Sequence, residues 1–169
     1  RHQRHDILEA IWLETADQGL ANLILLGRWL VLPVSLLLFA QWPLRDLVHA
    51  YSSSANDLAH WLFALYVSLA MTYATRERGH LAADVIARRY SAATRDLVAR
   101  LGALCCVLPW SLFFLIASWP MVLQSVRQLE EFPETYNPGY FLIKVSAWFL
   151  ALLALLQALL DIARPASPR

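Results

Sequence analysis

The residues here with metal or redox chemistry are five histidines and two cysteines. The histidines stand at positions 2, 5, 49, 60 and 80. Only His60 falls inside a long apolar stretch, near its outer end. A bis-histidine haem needs two rings facing each other at one depth, and the apolar stretches supply no second ring. Cys105 and Cys106 are adjacent. Neighbours on a helix point in different directions, and metal and redox sites use spacings such as CxxC. The pair reads as small hydrophobes inside an apolar run. HExxH, P-loop and GxSxG patterns do not occur. The apolar stretches hold almost no carboxylates, Asp161 standing at the end of one. A coupled carrier shows buried charge along its path, or broken helices in repeated halves, and neither is present. The expectation is a chain without catalytic residues, metal or cofactor, shaped as a membrane scaffold.

The elements that carry these residues follow from composition. Of 169 residues, 59% are hydrophobic and 16% charged, with mean hydropathy +0.46. Soluble domains average about 45–50% apolar and about 25% charged. A soluble fold of this size has too much surface to hide so many apolar side chains. Disordered chains are apolar-poor and charge-rich, so disorder is excluded too. Net charge is +1, whereas nucleic-acid binders are strongly basic. No cleavable leader is visible in the polar first twenty residues, so targeting is expected to come from the spans.

A bilayer core needs roughly 20 apolar helical residues. Four stretches qualify, about 20–42, 58–75, 101–126 and 141–162, within one membrane domain of residues 1–169. The expected fold is an all-α integral membrane protein, with four transmembrane helices plus amphipathic interfacial helices. Those interfacial helices are expected at about 6–17 and 80–90, where apolar stripes run beside charged residues; a linker helix packed on the bundle is the alternative for each. Pro43, a serine run and Asn56-Asp57 mark 43–57 as a loop, with Asp57 a cap for the second span. Pro133 and Asn137-Pro138-Gly139 mark 127–140 as another. Pro33, Pro109 and Pro120 read as kinks, which membrane helices tolerate.

Basic residues set the orientation. Arg1, Arg4, Arg76, Arg78, Arg88, Arg89, Arg95, Arg100, Arg164 and Arg169 fall on one side, against Arg45 and Arg127 on the other. The positive-inside rule puts both termini and the 76–100 loop in the cytoplasm. Arg28 lies about a third of the way into the first span, where a charge costs about 2.5–3.5 kcal/mol on insertion scales. It either snorkels to the inner headgroups, or contacts a lipid phosphate or a polar group on a partner helix. Lys144, near an outer end, reaches water. Arg88 and Arg89 lie close to lipid headgroups.

The densest local signal is Arg78-Gly79-His80-Leu81-Ala82-Ala83-Asp84. Gly79 suits a helix C-cap, and His80 and Asp84 are four apart and share a helix face. A solvated basic loop accounts for the same residues. The segment, an arginine followed directly by Gly-His-hydrophobic-x-x-Asp, resembles one in the small membrane subunit (Q subunit, DctQ-like) of tripartite ATP-independent periplasmic (TRAP) transporters. Arg78, Gly79, His80 and Asp84 are the matching positions. The layout resembles that family over roughly residues 7–162, while Asn56-Asp57 and Arg28 depart from its pattern. The resemblance implies a bacterial inner-membrane scaffold subunit, with both termini cytoplasmic. Its implied partners are a large TRAP membrane subunit, an extracytoplasmic substrate-binding protein and membrane lipids. Its implied role is to brace the large subunit during sodium-coupled uptake of a small organic acid. Small residues at 64, 68 and 70 and at 147, 151 and 154 would let helices approach closely. Glu130, Glu131 and Glu134, with Asp46 and Asp57, form an acidic outer surface that could meet the binding protein or simply be solvated. The alternative function is a membrane anchor of a quinone- or haem-linked redox enzyme, using His60, Trp61 and Tyr66.

Overall fold

The computed structural model describes residues 2–47, 53–76 and 91–163. Among them every regular element is helical, and the one β-like feature is an isolated bridge between Glu131 and Pro138. The helices are α1 (His2–Gly27), α2 (Val31–Leu47), α3 (Ser53–Arg76), α4 (Ala92–Gly102), α5 (Leu108–Arg127) and α6 (Tyr140–Ala163). A 3₁₀ turn, Arg28–Leu30, joins α1 to α2, and a π turn, Ala103–Val107, joins α4 to α5.

Both irregular turns sit just before a proline. Pro33 lacks the N–H that would bond four residues back to the Trp29 carbonyl. The turn tightens instead, and hydrogen bonds from its end go to the carbonyls of Arg28 and Trp29. Ahead of Pro109 the chain widens, and Leu108 bonds five residues back to Ala103. Pro120 is carried inside α5 without interruption. The helices therefore continue past all three prolines. Among the described residues four stretches are long and apolar enough to cross a membrane: Ile11–Gln41, Ser53–Arg76, Ala93–Arg127 and Tyr140–Ala163. They are called spans 1 to 4.

Several boundaries differ from the sequence reading. Residues 6–17 are not a separate element but early turns of α1, which runs unbroken to Gly27. No proline interrupts them, and Gly19 faces open space. Pro43 lies inside α2 rather than opening a loop. Span 2 starts at Ser53, not 58, because contacts from the distant 128–139 loop hold its first turns. The helix that opens span 3, α4, starts at Ala92 rather than 101. Ser91 caps it in extended geometry, its hydroxyl accepting the Thr94 N–H at 3.2 Å, a local signal that an apolar count starting at 101 overlooks. The interfacial helix expected at 80–90 lies outside the described residues.

Packing arranges the spans in a row. Span 2 contacts spans 1 and 4, span 4 contacts spans 2 and 3, and span 1 touches span 4 only at its α1 end. An apolar cluster of Leu20, Ile24, Leu69, Leu153 and Leu160 fills the junction of spans 1, 2 and 4. Elsewhere Val34, Leu115, Val122 and Gln157 are buried, together with a set of small side chains: Ala59, Ser68, Ser111, Ser146, Ala151 and Ala158. Ser68 donates to the Ser146 carbonyl at 2.9 Å, which ties span 2 to span 4. Leu26, Leu36, Phe39, Phe113 and Ile116 instead face outward. Small residues inside and large apolar ones outside suit a hydrocarbon solvent, where close backbone approach drives helix association. Of the small residues singled out in the sequence, Ser68 and Ala151 are buried within the row, whereas Ala147 is exposed.

Candidate functional site

Polar contacts pin the row at both ends. At one end, the 128–139 loop folds back over the start of span 2. Asp57 is buried, and its Oδ2 accepts from Thr135 Oγ1 at 2.6 Å and Asn137 Nδ2 at 2.9 Å. Asn137 Nδ2 also reaches Ser54 Oγ at 3.3 Å. The loop has its own core in Phe132, edge-on to Tyr140. Gly139, at φ 145°, lies where an added Cβ would come within 3.2 Å of that ring. Positive φ and close approach both call for glycine there.

Beside this clasp, Lys144 Nζ donates to Glu130 Oε1 and Oε2 at 2.8 and 2.5 Å, and Ser125 donates to the same carboxylate. The hydrogen bond from Lys144 does most to hold the Glu130 carboxyl below its ordinary pKa, the Ser125 bond adds to this, and burial opposes it. Lys144 is thus paired, not left to water, and Glu130 is tied into the fold. Glu131 and Glu134, on the same loop, are exposed.

At the other end, Arg76 closes span 2 on α1. Its guanidinium makes two contacts with the Asp17 carboxylate, Nη1 to Oδ1 and Nη2 to Oδ2, both 2.8 Å. This fork geometry is the strong form of an arginine–carboxylate pair. Farther along α1, Gly27 backs onto Leu69 of span 2, where an added Cβ would come within 2.9 Å of the Leu69 Cβ. The two points fix the register of spans 1 and 2. Gly27 lies ten residues beyond Asp17, and Leu69 seven residues before Arg76. At about 1.5 Å per residue, the level of Gly27 is roughly 10–15 Å from the ion pair.

Arg28 follows Gly27 and is exposed, its guanidinium lying over the Trp29 ring at 5.6 Å from the centroid. His60 Nδ1 donates to the Asn56 carbonyl at 2.9 Å. Asp161 Oδ1 accepts from the buried Gln157 at 3.0 Å. Cys105 and Cys106, expected inside an apolar run, lie exposed on the outward side of the π turn. Among the described residues no group of three His, Cys, Asp or Glu side chains is placed to hold a metal. No observation favours the redox-anchor alternative.

A family model matches residues 34–167, most of the chain: DctQ, the DctQ component of tripartite ATP-independent periplasmic transporters. The chain belongs to the DctQ family. It is a component of a TRAP transporter and a multi-pass membrane protein, in a system that also has a large membrane subunit and a periplasmic binding protein. Neither the curated proteins nor the solved structures contain a match to it.

For a DctQ subunit, the residues that bear on function divide into three groups. Arg78, Gly79, His80 and Asp84, with Arg88 and Arg89, lie outside the described residues. Glu130 is held by Lys144 and Ser125 beside the clasp, whereas Glu131, Glu134 and Arg28 are exposed. The third group was missed: Asp17 as partner of Arg76, Asp57 as anchor of the outer loop, and Lys144 as partner of Glu130. The signal for the last was local, an acid and a base flanking a Pro-Gly turn. The other two join residues 59 to 80 apart, which no short motif displays.

Proposed function

We propose that this DctQ subunit braces the large membrane subunit of a sodium-coupled uptake system for a small organic acid. It would lie in the bacterial inner membrane with both termini cytoplasmic. The bracing reading rests above all on the pinned row of spans. Spans 2 and 4 are joined through Ser68, and the ends are closed by Asp17–Arg76 and by Asp57 with the outer loop. A part that holds a neighbour still gains from such a frame, and a part that carries solute needs to rearrange. Of the charges within the spans, Lys144 and Asp17 are ion-paired near the ends, Asp57 is held by the outer loop, and Arg28 is directed outward.

In this reading Glu131 and Glu134 meet the binding protein that delivers substrate, while Glu130 shapes the loop that presents them. Arg78, Gly79, His80 and Asp84 form a structural motif at the cytoplasmic surface, and Arg88 and Arg89 contact lipid headgroups. The test is co-expression of the tagged chain with the large subunit of the same system, followed by purification in detergent. The large subunit should be retained, and its thermal unfolding should fall when this chain is omitted. A large subunit equally stable without this chain, and never retained by it, would remove the bracing role.

A further inference from the structure

Arg28 stands out because it is exposed within an apolar span, whereas Arg76 and Lys144 are held by Asp17 and Glu130. The register set by Asp17–Arg76 and Gly27–Leu69 places it well inside the apolar part of span 1. A charge at that depth is costly in hydrocarbon, and such groups normally face a partner. Helical side chains lean toward the helix N-terminus, so Arg28 can extend toward the Asp17 end. That route is longer than an arginine stem covers without thinning the bilayer. The guanidinium instead rests on Trp29, at its own level.

Its surroundings form one face. Leu25, Trp29, Leu32, Leu36 and Phe39 are all exposed. At 100° per residue they fall within one arc that has Arg28 at its edge, while Leu20, Ile24, Gly27 and Val34, buried in the row, fall on the other half of the helix. Their spacing of three and four residues makes a seam for a second helix. Span 3 presents Phe113 and Ile116 outward as well, but no comparable charge accompanies them, so the two apolar faces are not equivalent.

We propose that this face of span 1 is where the large membrane subunit docks, with a carboxylate or unpaired helix carbonyls of that subunit meeting Arg28 within the membrane. The proposal rests on the bracing reading and names the surface through which bracing acts. Charge complementarity selects the occupant, because lipid tails satisfy the leucines and leave the guanidinium without an acceptor. Arginine and tryptophan side by side are also the residue types that anchor protein interfaces.

The test uses the co-expressed complex, with a photo-crosslinking amino acid at Leu32 or Leu36 and Arg28 intact. Illumination should join this chain to the large subunit. In parallel, Arg28→Glu should lower recovery of the large subunit by about tenfold or more, with Arg28→Lys retaining most of it and the yield of this chain unchanged. Crosslinks to phospholipid alone, from a complex that stays assembled, would overturn the docking face and leave the bracing role standing. So would full recovery with Arg28→Glu. If the unaltered chain retains no large subunit, both readings fall together.

Discussion

Spans 4 and 1 are both apolar helices, yet they play opposite parts. Span 4 is the hub: it packs on spans 2 and 3, buries Ser146, Ala151, Gln157 and Ala158, and carries Lys144 in an ion pair. Span 1 is the rim. It meets span 2 along one side, buries Leu20, Ile24 and Val34, and leaves the other side with its charge facing out. In lipid the exposure of leucine says little about function, because the solvent is as apolar as the side chain. The treatment of polar groups is what separates the two helices. The hub pairs Lys144 within the chain, and the rim, beyond its paired Asp17, presents Arg28 outward.

The hub is the place where added volume does most harm. Ala151 is 1% exposed, whereas Ala147, one turn earlier, faces out. Ala151→Leu should destabilise the subunit by about 1–3 kcal/mol through overpacking. Ala147→Leu should stay within about 0.5 kcal/mol. Thermal unfolding in one detergent compares them, and equal losses would contradict the hub assignment. Next in size is the outer clasp. Asp57→Ala leaves Thr135 and Asn137 without their acceptor, for a cost of about 1–3 kcal/mol. The effect is confined to the loop, so amide exchange should quicken across 128–139 while the middle of span 4 stays protected. Uniform quickening would mean that loop and hub form one cooperative unit.

The smallest effect is the response of Glu130 to acid. Its folded pKa is lowered by Lys144 and Ser125. The stabilisation is therefore present above the unfolded value, about 4.3, and is lost as pH falls through the lower folded value. A partly exposed pair of this kind contributes under about 1 kcal/mol. Exchange protection of the 128–139 loop should fall between pH 7 and pH 3 in the unaltered chain. Glu130→Gln should be less protected at pH 7 and should change less with acid. A loop with the same acid response in both would show that another group titrates.

The sequence made the four spans legible through apolar runs of sufficient length, and the Pro-Gly turn marked the break between spans 3 and 4. Helix ends were less legible where tertiary contacts decide them. Ser53 to Asp57 read as a turn from residue type, but Asn137 reaches Ser54 and Asp57 and keeps them helical. Gly27 gave no sign of its role, because close approach to Leu69 exists only once the two helices are set side by side. Arg28 was visible at once as a charge in an apolar run. Which way it faces depended on the register that Asp17 and Arg76 impose, and no pattern within span 1 encodes that register.

Uptake into sealed proteoliposomes tests the central claim most directly, with the binding protein, substrate and an inward sodium gradient supplied outside. The account predicts no uptake with this chain alone, reduced uptake with the large subunit alone, and full uptake when both are present. Solute moved by this chain alone, or a full rate from the large subunit without it, would contradict the account.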